Sequence, residues 1–321
     1  MGAELGGFVL ARSAVDRAGA RRDDTEWLAA AWADPGTRVL VLDQGQALVE
    51  FGEEQARLIL VPPAEAPGGL RFLLGVDAAD VAYFGIVGPD GGLGAKPAAS
   101  LPGRGSASSP AAGPRLRPAG LRQAAALLDD RDAGLFTHAV ALANWHASHT
   151  HCPRCGTPTE PVAAGHARHC PADGSEHFPR IDPAVIMLVA DSADRCLLAR
   201  NRQWPPRRVS ILAGFVEPGE SAEQAVVREV GEETGIAVSQ VRYLGSQPWP
   251  MPQSLMLGFR ALATDSLDIT VDKEEIAEAR WFSREDLSRA LAADEIRLPP
   301  PVSIAHRIIE SWYGDELPGS W

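Results

Sequence analysis

The sequence predicts an α/β protein: helices alternating with a mixed sheet in the C-terminal part, and a smaller, strand-rich α+β region ahead of it. Three observations carry this. Ala184 to Ala190 is an unbroken apolar run, the pattern of a strand buried on both faces. Val209 to Ala213, a Pro-Gly turn and an amphipathic stretch ending at Gly235 read as strand, turn and helix in direct succession. Short strand-like runs fill Arg38 to Val87 with scarcely a helical pattern among them.

Taken in order, residues 23–33 predict a short helix, stopped by Asp34-Pro35-Gly36. Strands are expected at Arg38 to Leu42, Ala47 to Phe51, Leu58 to Val61, Leu70 to Gly75 and Val81 to Val87. Residues 88–119 shift to Gly, Pro, Ser and Ala with few apolar anchors, so a mobile loop is expected there. Helices follow at Leu121 to Asp129 and Asp132 to Ser148, the second with Leu135, Phe136, Ala139, Leu142 and Ala143 at helical spacing. Three domains result: 1–135 (N-terminal α+β), 136–182 (a helix plus a compact cysteine segment) and 183–321.

Composition narrows the function. At 321 residues and a formal charge of −12, the chain has material for real cores and lacks the charge for a broad nucleic-acid surface, although a local basic groove is compatible with it. No apolar run reaches membrane length and Met1 to Ala20 lacks a signal-peptide pattern, so a soluble, cytoplasmic protein with no membrane partner is expected.

Cys152-Pro-Arg-Cys155-Gly156, with Cys170 fifteen residues beyond Cys155, has the spacing of a structural zinc segment. Asp173 stands where a second Cys-x-x-Cys would place the fourth ligand, and His166, His169 and His177 are alternatives close by. A redox Cys-x-x-Cys lacks its βαβ context here, and a metal-free remnant is the other alternative. Cys196, within the strand run Arg195 to Arg200, reads as a small buried hydrophobe.

Further strands are expected at Ala237 to Leu244, Leu255 to Ala263 and Ala279 to Phe282, and helices at Ser283 to Ala292 and Ser303 to Trp312. The helix before Gly235 opens on a Ser221/Gln224 capping box and buries Ala222, Ala225, Val226 and Val230. Glu229, Glu232 and Glu233 fall at i, i+3 and i+4, so their carboxylates share a face. A solvated acidic face would cost only about 0.2–0.5 kcal/mol per like-charge pair, so energetics alone does not exclude it. Clustered oxygen donors on a rigid element also suit Mg²⁺ or Mn²⁺, which complete their shells with water and substrate phosphate.

The full pattern decides. Gly214, five residues, Glu220, seven residues, Arg228-Glu229-Val230, one residue, Glu232-Glu233, one residue, Gly235-Ile236 resembles the Nudix box throughout. Seven fixed positions have chance odds on the order of 10⁻⁸ per start. The resemblance implies an α/β/α sandwich and cleavage of a nucleoside diphosphate linked to another moiety. Eleven residues beyond Gly235, Ser246-Gln-Pro-Trp-Pro-Met-Pro-Gln-Ser254 resembles the signature of the NADH pyrophosphatase branch, with Met251 in place of its usual Phe. Alternating prolines predict a stiff edge or loop that turns Gln247, Trp249 and Met251 outward, with Trp249 a platform for a flat ring.

Residue by residue, the resemblance implies metal ligation by Glu229, Glu232 and Glu233, with Glu233 also positioning or deprotonating water and Arg228 orienting the glutamates. Glu275 matches a further metal carboxylate, with Glu274 its one-residue alternative. Phe215, Gln247, Trp249, Ser254 and Ala305 match pocket positions; Phe178 and Ile186 match positions that reach the site from a dimer partner. The implied reaction is hydrolysis of NADH or NAD⁺ to AMP and nicotinamide mononucleotide, with catalytic Mg²⁺ or Mn²⁺, structural Zn²⁺, a homodimer, and removal of NAD caps from RNA as a related activity. ADP-ribose or another dinucleotide is the alternative substrate. A zinc-ribbon nucleic-acid-binding module or a ligand-sensing regulator on a Nudix fold is the alternative of another class.

Overall fold

The computed structural model describes residues 5, 7–88 and 115–318 of the chain. They form two compact units, one of Arg12–Arg180 with Pro250–Gln253, the other of Met1–Ala11, Ile181–Trp249 and Ser254–Trp321.

In the first unit, helix α1 (Thr25–Ala33) starts where Asp24 Oδ1 accepts the Trp27 N–H at 2.9 Å. Strands β1 (Arg38–Leu42), β2 (Gln46–Phe51), β3 (Ala56–Leu58), β4 (Leu70–Val76), β5 (Ala82–Val87) and β6 (Arg115–Gly120) build two three-stranded sheets, ordered β1-β5-β4 and β3-β2-β6. Most of the expected mobile stretch, residues 89–114, lies outside the described residues. Its last residues correct the expectation: Arg115 to Ala119 are strand, paired antiparallel with β2. The expected helix from Leu121 is shortened to α2 (Leu121–Ala124), and Asp129 serves the next helix as its N-cap, accepting the Asp132 N–H at 2.8 Å.

That helix, α3 (Asp130–Ser148), is pinned by histidines. His138 Nδ1 meets the Leu74 carbonyl of β4 at 3.3 Å, and His146 Nε2 meets the Gly165 carbonyl at 2.8 Å. His166 Nε2 meets the Leu73 carbonyl at 2.8 Å. All three rings are buried, and burial is the main reason their pKa values fall, to about 3 for His138 and about 4 for His166. Beyond α3, β7 (Glu160–Val162), β8 (Ala167–His169) and β9 (Glu176–His177) make a small antiparallel sheet around the cysteine segment.

The second unit is built on β10 (Asp182–Ala190), the central strand foreseen from its apolar run. Strands β11 (Cys196–Asn201), β12 (Leu212–Phe215), β13 (Val238–Trp249), β14 (Ser254–Ala263) and β15 (Ile276–Phe282) complete a sheet ordered β13-β14-β10-β11-β15, with β12 also paired to β10. β10 and β14 are parallel and the other pairings antiparallel. Side chains alternate across β10. Val185, Met187 and Val189 pack with Ala225, Val226 and Val230 of α4 (Ala222–Thr234). Ile186, Leu188 and Ala190 pack with Leu287 of α5 (Arg284–Ala292) and Ile304 and Ile308 of α6 (Ile304–Tyr313). Helices thus cover both faces of one mixed sheet.

Two strands differ from expectation. Ser210 bridges to Ala199 and Val209 donates to Arg297, so β12 begins only at Leu212. β13 runs on through the proline stretch to Trp249, with Pro248 opposite Leu255 of β14. As the edge strand it leaves one ladder side open, which tolerates a residue without an N–H. Cys196 is fully buried in the core, as expected, and burial pushes its thiol pKa up. Among the described residues no helix is long and apolar enough to cross a membrane.

Candidate active site and zinc segment

Helix α4 sets the site. Ser221 Oγ accepts the Gln224 N–H at 3.2 Å and Gln224 Oε1 accepts the Ser221 N–H at 3.1 Å, which fixes where the helix starts and how its glutamates are phased. At the other end Gly235 takes φ +70°, a left-handed cap that suits glycine.

Arg228 organises the acidic face. Its Nε and Nη2 donate to the two oxygens of Glu220, its Nη1 to Glu229 and Glu232, and its Nη2 to the Phe215 carbonyl, each at 2.9 Å. With every guanidinium nitrogen engaged, Arg228 is a brace between the loop and the helix. The pairing with Glu220 raises the Arg228 pKa and lowers that of Glu220.

Glu229 and Glu233 point inward and are unlike Glu232, which is exposed. A Cβ at Gly214 would sit 1.9 Å from Glu229 Cδ, so any larger residue at this point of β12 would push the carboxylate out of its place. Burial lifts the Glu229 pKa despite its bond to Arg228. Glu233 is 6% exposed, and its Oε2 is buried without a hydrogen-bond partner. Burial, then the charges of Glu229, Glu275, Asp272 and Glu232, push its pKa up to about 8. A buried carboxylate surrounded by other carboxylates is unstable without a cation, so the donor set fits hard divalent ions.

The opposite wall comes from residues 270–275. Thr270 N–H donates to Thr234 O at 2.8 Å and Asp272 N–H to Glu233 O at 3.1 Å, tying this segment to the end of α4. Together these walls enclose a cavity of about 930 Å³, a size suited to a dinucleotide-scale ligand. Phe215, Arg228, Glu229, Glu232, Glu233, Ser254, Asp272, Glu274 and Glu275 line it.

In the cysteine segment, Cys152, Cys155, Cys170 and Asp173 bring their ligand atoms within 4.8 Å of one another. Cys155 Sγ is 3.6 Å from Cys170 Sγ, and Cys152 Sγ is 3.4 Å from Asp173 Oδ2. Tetrahedral zinc with ordinary bond lengths separates two sulfurs by about 3.8 Å and a sulfur from an oxygen by about 3.5 Å, so the four residues fit it. Against burial, the backbone N–H groups of Arg154 and Cys155 hold the Cys152 thiol low, at about 6.

Comparison with known proteins agrees in each part. The NUDIX domain profile matches residues 180–301, the NADH pyrophosphatase zinc ribbon domain residues 147–178, and the NADH pyrophosphatase-like rudimentary NUDIX domain residues 36–145. A protein of Mycobacterium bovis named NAD-capped RNA hydrolase NudC is 42% identical over 319 residues, covering 95% of this chain and 94% of the relative. The chain belongs to the NADH pyrophosphatase branch of the Nudix hydrolases. The same identity and coverage hold for NAD-capped RNA hydrolase NudC of Mycobacterium tuberculosis. Human NAD-capped RNA hydrolase NUDT12 is 42% identical over 197 residues, 58% of this chain and 42% of that one.

Within this Nudix frame the expected site residues fall into three groups. Phe215, Arg228, Glu229, Glu232, Glu233, Ser254 and Glu275 lie around one cavity, and Glu274 with them. Of the two neighbours, Glu275 is the one whose charge raises both Glu229 and Glu233. Asp272 joins this Nudix site without having been singled out by the sequence pattern; its only signal is the acidic run Asp272-Lys273-Glu274-Glu275.

The second group is inside the core. Gln247 does not point outward: it is fully buried, its Oε1 accepting the Leu10 N–H at 3.2 Å and its Nε2 donating to Val302 O at 3.0 Å. Ala305 packs in the apolar cluster with Ile304 and Ile308, and Ile186 packs in the same cluster, so neither side chain is presented to solvent. Of the third group, Trp249 ends β13 half-buried. Met251 and Phe178 belong to the first unit, where Met251 Sδ takes a contact from Arg122 Nε at 3.1 Å and Phe178 is exposed.

Proposed function

We propose that this chain hydrolyses the pyrophosphate linkage of NADH and NAD⁺, releasing AMP and nicotinamide mononucleotide, and that it acts on the same linkage at the 5′ end of NAD-capped RNA. The observation that carries this is the unpartnered, buried Glu233 oxygen in a cavity ringed by carboxylates, in a chain whose C-terminal part matches the NUDIX domain and whose two preceding parts match NADH pyrophosphatase domains. Glu229, Glu232, Glu233 and Glu275 would hold Mg²⁺ or Mn²⁺, which supply charge neutralisation at the diphosphate and a water activated at ordinary pH. Arg228, its donors already committed, keeps Glu220, Glu229 and Glu232 in register. Glu233 accepts a proton from the attacking water at Oε2. Phe215 offers an exposed ring to a base and Ser254 lines the same cavity, while the resemblance assigns Trp249 and Met251 to substrate recognition. Asp173 completes a structural zinc site with Cys152, Cys155 and Cys170.

We also infer a homodimer, from the resemblance at Phe178, an exposed aromatic side chain. Sedimentation at micromolar concentration should give twice the chain mass; a monomer that retains full activity would overturn it.

The function is tested by incubating the protein with NADH, NAD⁺, ADP-ribose and an RNA bearing a 5′ NAD cap, in Mg²⁺ or Mn²⁺. AMP should be released from NADH, and Glu233→Gln should reduce the rate by about 10²–10⁴-fold. A rate untouched by Glu233→Gln would overturn the mechanism. Equal rates on NADH and ADP-ribose would overturn the substrate assignment.

A further inference from the structure

The cysteine segment contains two turns of one design. In the first, Gly156 N–H returns to Cys152 O at 2.9 Å and Gly156 has φ +75°. In the second, Gly174 N–H returns to Cys170 O at 2.9 Å and Gly174 has φ +72°. The second turn is therefore intact, with a carboxylate where its second thiol would stand. A carboxylate is a poorer fit than a thiolate for such a site: it has two equivalent oxygens and a side chain free to rotate.

Those freedoms are removed here. Asp173 Oδ1 accepts both the Ser175 backbone N–H at 2.9 Å and the Ser175 hydroxyl at 2.5 Å. Its other oxygen, Oδ2, is the one left facing Cys152 Sγ. The hydroxyl proton being committed to Asp173, Ser175 Oγ is an acceptor for His177 Nε2 at 3.0 Å, which assigns the proton to that ring nitrogen. The rival histidine ligand His166 is held elsewhere, on the Leu73 carbonyl.

We propose that Ser175, backed by His177, is the positioning residue that makes Asp173 Oδ2 a competent fourth zinc ligand. Hydrogen bonds that fix a ligand's orientation typically contribute 10–100-fold to metal affinity. The proposal rests on the zinc reading of this segment, and the test separates the two.

Zinc affinity is measured on the full-length chain by competition with a chromophoric chelator, and zinc per chain by elemental analysis. Ser175→Ala should weaken zinc by about 10-fold or more, and His177→Ala by less. Asp173→Cys should bind zinc at least as tightly as the parent, and adding Ser175→Ala to it should cost clearly less than it costs the parent, the remainder reflecting the 3.6 Å contact of Ser175 Oγ with Cys152 Sγ. With Co²⁺ in place of zinc, Ser175→Ala should keep the sulfur charge-transfer absorption of three thiolates, whereas Asp173→Cys should raise it by about a third. An equal loss from Ser175→Ala in both backgrounds would show a merely structural serine and overturn the proposal. Unchanged affinity in Asp173→Ala would remove the aspartate from the site. A parent chain purified and refolded with zinc that holds none would overturn the zinc reading itself.

Discussion

Glu233 combines two features that a folded protein seldom leaves uncompensated: it is buried, and one of its oxygens has no partner. Its pKa is raised first by burial and then by the repulsion of the surrounding acids. Removing that repulsion should therefore stabilise the metal-free protein: Glu233→Gln should unfold at higher temperature than the parent in chelator while losing activity in Mg²⁺, and a lower melting temperature in chelator would contradict this. Gly214 is the complementary case. Gly214→Ala places a methyl on the Glu229 carboxylate, so activity should fall at least about 10-fold while melting changes little; unaltered kcat and KM would contradict it. At this scale the site was largely legible. The α4 carboxylates recur at a helical period within a few residues of one another, and that period is written in the chain. Asp272 was not, because a backbone bond to Glu233, 39 positions away, delivers it. Gln247 was read in the wrong direction, because alternating prolines set the backbone and leave open which face of the strand is inside.

Among the elements, α3 and the segment just before β8 are each joined to β4 through a histidine ring that must stay neutral. His138 and His166 have folded pKa values depressed far below the unfolded value near 6.5. The unfolded chain therefore binds more protons in acid, and the stability contributed by each neutral ring is complete above about pH 6.5 and lost as pH falls toward 4 for His166 and 3 for His138. Chemical denaturation should show a loss on the order of 2–3 kcal/mol per histidine between pH 7 and pH 4.5, and His138→Asn should flatten that slope. A slope identical in the variant would count against it. The edge strand β13 carries a second test. Gln247→Ala leaves the Leu10 N–H and the Val302 carbonyl without partners, each costing about 1–3 kcal/mol, so urea unfolding should shift to lower concentration even with substrate absent. An effect confined to KM would instead place Gln247 in direct contact with the ligand. Elements with local signals were foreseen within a residue or two, such as β1, α4 and α5. β6 was not, since its pairing with β2 lies across a glycine-rich stretch and nothing in its own composition announces a strand.

For the whole molecule, the sandwich was legible from the unbroken apolar run of β10 and from the Nudix box, whereas the assignment of Met1–Ala11 to the catalytic unit was not. Phe8 and Leu10 are 6% and 1% exposed in that unit, and Phe8 Cε2 fills the space a Cβ on Gly245 would need. Deleting residues 1–11 should lower stability by about 3–6 kcal/mol, from about 1.5–3 kcal/mol per buried side chain, as read by denaturant unfolding. An unchanged midpoint would show the segment to be dispensable. The arrangement also has a bearing on synthesis. Leu10 leaves the ribosome early, yet the glutamine that receives its amide lies 237 positions later. At about 5–20 residues per second, this apolar segment must wait roughly 10–50 s for its seat to be made. Over that interval Phe8 and Leu10 are exposed apolar side chains on a growing chain, the kind of surface that chaperones hold.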